Sequence, residues 1–92
     1  MEMFEIMKTR LPEGLEVVKV CNRTGSDQMK IRFSYGGQEI DGWLRKTCTP
    51  GFEKKNCDFT ICTTMISLAL ERHDLPDAKR WKEKQDGIYR VF

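Results

Sequence analysis

Histidine occurs once in this chain, at His73, and proline three times. No window approaches the roughly eighteen consecutive apolar residues that a membrane crossing needs. The longest apolar-rich stretch, Phe59 to Leu70, is interrupted by Thr60, Thr63, Thr64 and Ser67. The first residues, Met1-Glu2-Met3-Phe4-Glu5-Ile6-Met7, lack the basic segment and apolar run of an export signal. Charge of one sign is missing as well, since 16 Lys and Arg against 14 Asp and Glu leave a net charge of +2. That balance excludes an acidic nucleic-acid mimic and a polybasic tail. With 39% hydrophobic residues it also excludes a disordered chain. Internal repeats and low-complexity linkers are absent, and 92 residues make one small domain.

The motifs of catalysis are missing too. No serine lies in a nucleophile-elbow context, and no Gly-rich loop precedes a helix carrying a Lys-Ser/Thr pair. His73 falls in the last turn of an expected helix, where the helix dipole favours a cation. The four cysteines, Cys21, Cys48, Cys57 and Cys62, are expected as reduced thiols in a cytosolic or otherwise reducing compartment. On a helix, Cys57 and Cys62 point about 140° apart and do not converge on one zinc ion. Buried thiols acting as small hydrophobes are the better account. Enzyme chemistry, metal and cofactor are therefore not expected. Asn22-Arg23-Thr24 spells a glycosylation acceptor, which matters only for an exported chain.

What is present is a legible succession of elements. Residues 3–9 read as a short helix ended by Pro12-Glu13-Gly14, and residues 15–22 as a β-branched strand followed by a turn at 23–27. Met29, Ile31, Phe33 and Tyr35 alternate with Lys30, Arg32 and Ser34, the period-2 pattern of a half-buried strand. Gly36-Gly37 suits a two-residue hairpin loop, which requires positive φ at both positions. Residues 38–46 then return antiparallel, pairing Tyr35 with Gln38, Phe33 with Ile40, Arg32 with Asp41 and Lys30 with Trp43. Residues 47–56 read as a loop. A long helix is expected over 57–73, capped by Asn56 or Asp58, with Phe59, Cys62, Met65, Ile66, Ala69 and Leu70 on a wide apolar face that Ile61 and Leu68 widen further. Asp74-Leu75-Pro76-Asp77 starts a short helix to about Lys84, Asp86-Gly87 stops it, and 88–92 read as a last strand. The fold class is α+β: a two-layer sandwich in which a three-stranded antiparallel meander packs on a long helix, in the order α-β-β-β-α-α-β.

In that arrangement Val18, Val20, Met29, Ile31, Phe33, Ile40 and Leu44 face the long helix. Val17, Lys19, Cys21, Lys30, Arg32, Asp41, Trp43 and Arg45 face away from it. The outward set combines four cations, one acid and one large aromatic. It suits either a protein hot spot, where Trp and Arg are enriched, or a nucleic-acid platform. Lys54-Lys55 adds cations before the long helix, and Trp81 anchors a basic short helix on the core. The uncharged stripe Thr60, Thr63, Thr64 and Ser67 is covered either by the chain's own C-terminal elements or by a second copy.

The order of helix, meander, Lys-Lys loop and helix resembles the double-stranded-RNA-binding domain. The matching residues are Leu11-Pro12, Phe33-Ser34-Tyr35-Gly36-Gly37-Gln38-Glu39, Lys54-Lys55 and Ala69-Leu70, within about residues 4–72. The resemblance implies that Lys54 and Lys55 clamp phosphates across a major groove. The chain departs from that pattern at Arg23 to Asp27, which lacks a Pro-His loop. The stretch from Trp43 to Glu53 is long, and the long helix lacks the alanine run and a third lysine.

The leading expectation is a non-enzymatic protein-binding module in the cytoplasm, docking on and blocking a larger protein or ribonucleoprotein complex. Small phage-encoded inhibitors of host defence, anti-CRISPR proteins among them, have this size and charge balance. The contact is expected at Trp43, Arg45, Lys30, Arg32 and Lys19, with Lys54 and Lys55 at the rim. The rival readings are nucleic-acid binding through the same cations and a homodimer through the Thr stripe.

Overall fold

In the computed structural model, which describes residues 2–90, the hairpin forms as its loop chemistry requires. Gly36 and Gly37 have φ of 55° and 86°, the left-handed pair of a type I′ turn. Strands β2 (Gln28–Tyr35) and β3 (Gln38–Arg45) then pair antiparallel in the expected register, from Tyr35 opposite Gln38 to Lys30 opposite Trp43. Strand β1 (Leu15–Cys21) joins the other side of β2, giving a meander in the order β1-β2-β3. Helix α1 (Met3–Lys8) and helix α2 (Glu53–Glu71) pack against it, and helix α3 (Leu75–Ile88) packs against α2. The fold is the expected α+β sandwich. Phe33, Ile31 and Leu44 of the sheet, Met7 of α1 and Met65 and Leu68 of α2 are its largest fully buried side chains, with Cys57 beside them.

β1 departs from strict alternation. Val17 packs against the core instead of facing solvent, whereas Val18, expected inside, is 53% exposed. The pairing explains it: Val17 lies opposite Phe33 and Lys19 opposite Arg32, so Val18 is an extra residue in a β-bulge. Alternation resumes out of phase, returning Val20 to the core side.

α2 begins at Glu53 rather than near Cys57, and neither Asn56 nor Asp58 caps it. The Glu53 carboxylate reaches back instead and accepts the Gly51 N–H at 2.8 Å, a charge-favoured arrangement at a helix start. Asp58 takes a two-point ion pair from Arg10, at 2.6 and 2.7 Å, which ties the turn after α1 to α2. The early start places Lys54 and Lys55 in the helix's first turn, not in the preceding loop. At the other end, His73 lies beyond the helix in the left-handed region with φ 59°. Its N–H bonds the Leu70 carbonyl at 3.1 Å and the Asp74 N–H bonds that of Ala69 at 2.9 Å, a Schellman closure. The closure satisfies two terminal carbonyls of α2 and turns the chain straight into α3, where Asp74 accepts the Asp77 N–H at 3.2 Å.

α3 continues through Asp86-Gly87, held by a Lys82–Asp86 pair at 2.9 Å one helical turn apart. Ile88, read from sequence as the start of a last strand, is the final residue of this helix. Tyr89 and Arg90 follow as turn and irregular chain, and the rest of that expected strand lies outside the described residues. Trp81 packs half-buried against the core, as expected of the short basic helix.

Two neighbours from this chain reach the Thr stripe, while Thr63 stays exposed. Thr60 donates its hydroxyl to the Trp43 carbonyl on β3 at 3.1 Å. From α3, the buried Gln85 amide donates to the Thr63 hydroxyl at 2.6 Å and to the Phe59 carbonyl at 3.2 Å. Thr64 is buried where α2 crosses Gly42: a Cβ at that glycine would lie 2.9 Å from the Phe33 ring and 3.0 Å from the Thr64 hydroxyl. The layers meet there at backbone distance.

Two substitutions probe this architecture. Gly42→Ala forces the layers apart and is expected to cost about 2 kcal/mol, lowering the thermal midpoint by about 10 °C. His73→Gly relieves a left-handed non-glycine residue and should stabilise by about 0.5–1 kcal/mol in urea titrations. An unchanged midpoint for Gly42→Ala, or a loss for His73→Gly, contradicts these assignments.

Candidate interaction surface

The hairpin register decides which charges the sheet's outer face displays. Arg32 sits opposite Asp41 and diagonal to Glu39. Its guanidinium bonds Glu39 at 2.7 Å and Asp41 at 3.0 Å, and the Lys30 ammonium lies 3.5 Å from the other Asp41 oxygen. The hydrogen bond to Glu39, then the charge of Asp41, raises the Arg32 pKa above its ordinary value. Two expected contact residues, Lys30 and Arg32, are thus engaged with carboxylates of the protein itself. Lys19 is exposed on β1, two strand spacings (about 10 Å) from β3. The sheet therefore separates it from Trp43 and Arg45.

Trp43 stands across from Lys30 and lines a cleft with it, as the register implies, but together with Arg45 it also borders a second environment. Both side chains leave β3 on the outer face near its end, and the Trp43 ring is 54% exposed. The Thr60 bond brings α2 alongside, so Trp43, Arg45, Asn56, Phe59 and Thr60 line one groove of about 280 Å³. Phe59 was expected on the apolar face of the helix but is 41% exposed. It stands about 160° around the helix from the buried Ile61, on the flank of α2 that borders the end of β3. Leu70, half exposed, is displaced from the core for the same reason, about 180° from Ile61.

Phe59 is one end of an aromatic run with Tyr89 at its middle. Its ring centroid lies 5.7 Å from that of Tyr89, which stacks on Phe52 at 6.4 Å and 24°. Tyr89 reaches this position because α3 extends past Gly87. Partial burial pushes the Tyr89 phenol up, with the positive charge of Arg45 acting in the opposite sense. At the far end the Lys55 ammonium sits 5.3 Å over the Phe52 ring. The structure thus gathers Trp43, Arg45 and Lys55 around three rings that sequence reading did not assign to a surface, and Lys54 occupies the same helical turn as Lys55. Among the described residues, Arg45, Lys54 and Lys55 have no carboxylate within ion-pair distance.

A second cleft, of about 420 Å³, lies between α3 and the turn after α1, beside Pro12, Cys62, Trp81 and Lys84. Its polar groups are already engaged: Arg10 pairs with Asp58, and the Lys84 ammonium packs 4.9 Å over the Trp81 ring. All four cysteines are free thiols, Cys21 exposed and Cys57 and Cys62 buried. No group of three or more His, Cys, Asp or Glu side chains converges as a metal site among the described residues, and no described helix is long and apolar enough to cross a membrane.

Cys57 makes the interior chemistry measurable. Burial, reinforced by the charge of Asp58, pushes its thiol up to about 11. In the unfolded chain the thiol ionises near its ordinary value of about 8.5 to 9. Between about pH 9 and 11 the unfolded state therefore binds fewer protons than the folded one, and stability falls as pH rises. Denaturant midpoints measured across that window should decline, and Cys57→Ala should flatten the decline. An equal slope in the variant rules out this origin.

No protein-family model, curated protein or solved structure matches the chain, so the reading of its surface rests on the geometry above.

Proposed function

We propose that the protein is a non-enzymatic binding module that docks stoichiometrically on a larger protein partner through Trp43, Phe59, Tyr89 and Phe52, with Arg45 and Lys55 beside them. The observation that carries this reading is a run of three touching rings, Phe52, Tyr89 and Phe59, with Trp43 across a shared groove from Phe59, each at least 40% exposed on a chain in which 33% of residues are charged. Exposed aromatic area of that kind has no solubility benefit and is what protein interfaces bury at their centres. Tyr and Trp lose little conformational freedom on docking, and a neighbouring Arg adds planar hydrogen bonding. Occupying a partner's surface is itself sufficient to block it. A small phage-type inhibitor of a host defence complex, similar in manner to anti-CRISPR proteins, is the form of this reading that the size of the chain suits.

Nucleic-acid binding through the cations has less support. Lys30 and Arg32, which share a cleft with Lys19, are paired with carboxylates, and the Phe52, Tyr89 and Phe59 rings pack on one another rather than standing free as stacking platforms. The topology α1-β1-β2-β3-α2 is the order implied by the resemblance to the double-stranded-RNA-binding domain, and Lys54 and Lys55 remain exposed on it. They are too few to follow a phosphate backbone, where each neutralised phosphate contributes one unit of salt dependence.

Affinity capture from the native cell with wild-type, Trp43→Ala and Phe59→Ala proteins tests the proposal. A nuclease-resistant protein partner should be held by the wild type in stoichiometric amount. Each substitution should weaken its binding by about 2 kcal/mol, roughly thirtyfold, while shifting the thermal midpoint by no more than about 3 °C. A partner that nuclease releases favours the nucleic-acid reading. Undiminished capture by both variants removes the aromatic surface from consideration.

A further inference from the structure

The groove between β3 and α2 holds two side-chain donors, on Arg45 and Asn56, and no carboxylate; its only other side-chain amide is that of Gln28, across the strand pair from Arg45. Arg45 stands at one wall with no carboxylate partner among the described residues. Asn56 lines the same groove, and its side-chain nitrogen is buried with no hydrogen-bond partner. A buried amide donor left unpaired is costly, and its presence beside a free guanidinium calls for an acceptor supplied from elsewhere. The Thr hydroxyls nearby cannot serve as extra donors. Thr60 gives its proton to the Trp43 carbonyl, Thr63 to that of Phe59 and Thr64 to that of Thr60. No Asp or Glu lines the groove. The nearest acids of the strand, Glu39 and Asp41, are held by Arg32 and Lys30.

We infer that this groove receives a carboxylate side chain from an acidic segment of the partner, with Arg45 and Asn56 as its donors and Trp43 and Phe59 as apolar walls. A carboxylate fits this donor set because it accepts from several directions at once and pairs with a guanidinium in a planar, two-point geometry. The apolar walls exclude water and so strengthen that pair. Lys54 and Lys55 extend the positive field along the first turn of α2, which suits a segment carrying more than one acid. A polynucleotide offers the same negative charge but would need a run of cations to follow its backbone, and the sheet has neutralised two of those at hand. The inference rests on the docking reading above and specifies its chemistry.

The test is a titration of isotope-labelled protein, followed through three side-chain signals: the Trp43 indole N–H, the Asn56 amide and the Arg45 Nε–H. Three probes are compared at equal concentration: a Glu-rich dodecapeptide carrying one Leu and one Phe, the same peptide with Lys in place of every Glu, and a twelve-nucleotide oligothymidylate. The acidic peptide should shift all three signals, and the basic peptide none. Arg45→Gln, an exposed position, and Asn56→Asp, which replaces the donor by a charge of the wrong sign, should each weaken acidic-peptide binding about tenfold or more. The inference is overturned if the acidic peptide leaves the three signals in place, if either control probe binds as tightly, or if Arg45→Gln binds undiminished. Should it fail in any of these ways while Trp43→Ala and Phe59→Ala still lose the native partner, the carboxylate is excluded and the docking surface stands. If those variants also keep the partner, both readings fall together.

Discussion

The structure depends on the absence of a side chain at Gly42. With hydrogen at that position, α2 settles onto β3 until the Thr64 hydroxyl and the Phe33 ring nearly touch the strand backbone. At that separation Thr60 reaches the Trp43 carbonyl and fixes the rotation of α2 about its axis. The rotation then decides what is buried and what is displayed. Ile61, Met65 and Leu68 go inward, and Phe59 comes out beside Trp43. α3 is registered on α2 by Gln85, whose amide bonds to Phe59 and Thr63, and its end delivers Tyr89 onto Phe59. The aromatic surface is thus a consequence of one close crossing rather than a feature of any single element.

Electrostatics selects within that surface. A net charge of +2 conceals that some cations are matched within the chain and others are not: Arg10 pairs with Asp58, Arg32 with Glu39 and Asp41, Arg72 with Asp77, and Lys82 with Asp86. Pairs as exposed as these add little to stability. Their effect is to remove charge from consideration, so that the cations left over become conspicuous by position. Three of them, Arg45, Lys54 and Lys55, belong to the strand end and helical turn that carry the aromatic run. The threonine hydroxyls of α2, by contrast, spend their protons on backbone carbonyls, Thr60 on that of Trp43 and Thr63 and Thr64 within the helix, which leaves the groove without a hydroxyl donor to spare.

Local chemistry made the hairpin readable from residues alone, because a Gly-Gly loop and strict alternation determine the register without help from the rest of the fold. Trp43 and Arg45 followed from that register and are exposed as anticipated. Where tertiary contacts chose, sequence patterns misled. The bulge at Val18 is settled by pairing with β2, not by β1 itself, so Val17 and Val18 exchanged faces. The start of α2 was hidden because its reach-back residue, Glu53, precedes the apolar pattern and no Ser, Thr, Asp or Asn stands at the cap. Phe59 resembled a core residue because the expected apolar face was drawn too wide. Lys30 and Arg32 were read as available although Asp41 and Glu39 stood across from them, a pairing that only side-chain geometry reveals in full. Tyr89 could not be placed without knowing that a helix would continue through Gly87.

The bulge has one more effect. A three-stranded sheet has two outer strands, and each presents a row of backbone amides and carbonyls that a foreign strand could zip onto. Along β3 that row is overhung by α2, with Thr60 occupying the carbonyl of Trp43. β1 has no such helix lying along it. There the extra residue at Val18 kinks the strand and spoils the even spacing that an incoming chain would need, and the charged Glu16 and Lys19 flank the kink. An irregularity that costs the sheet part of one ladder therefore makes that edge a poor template for an added strand.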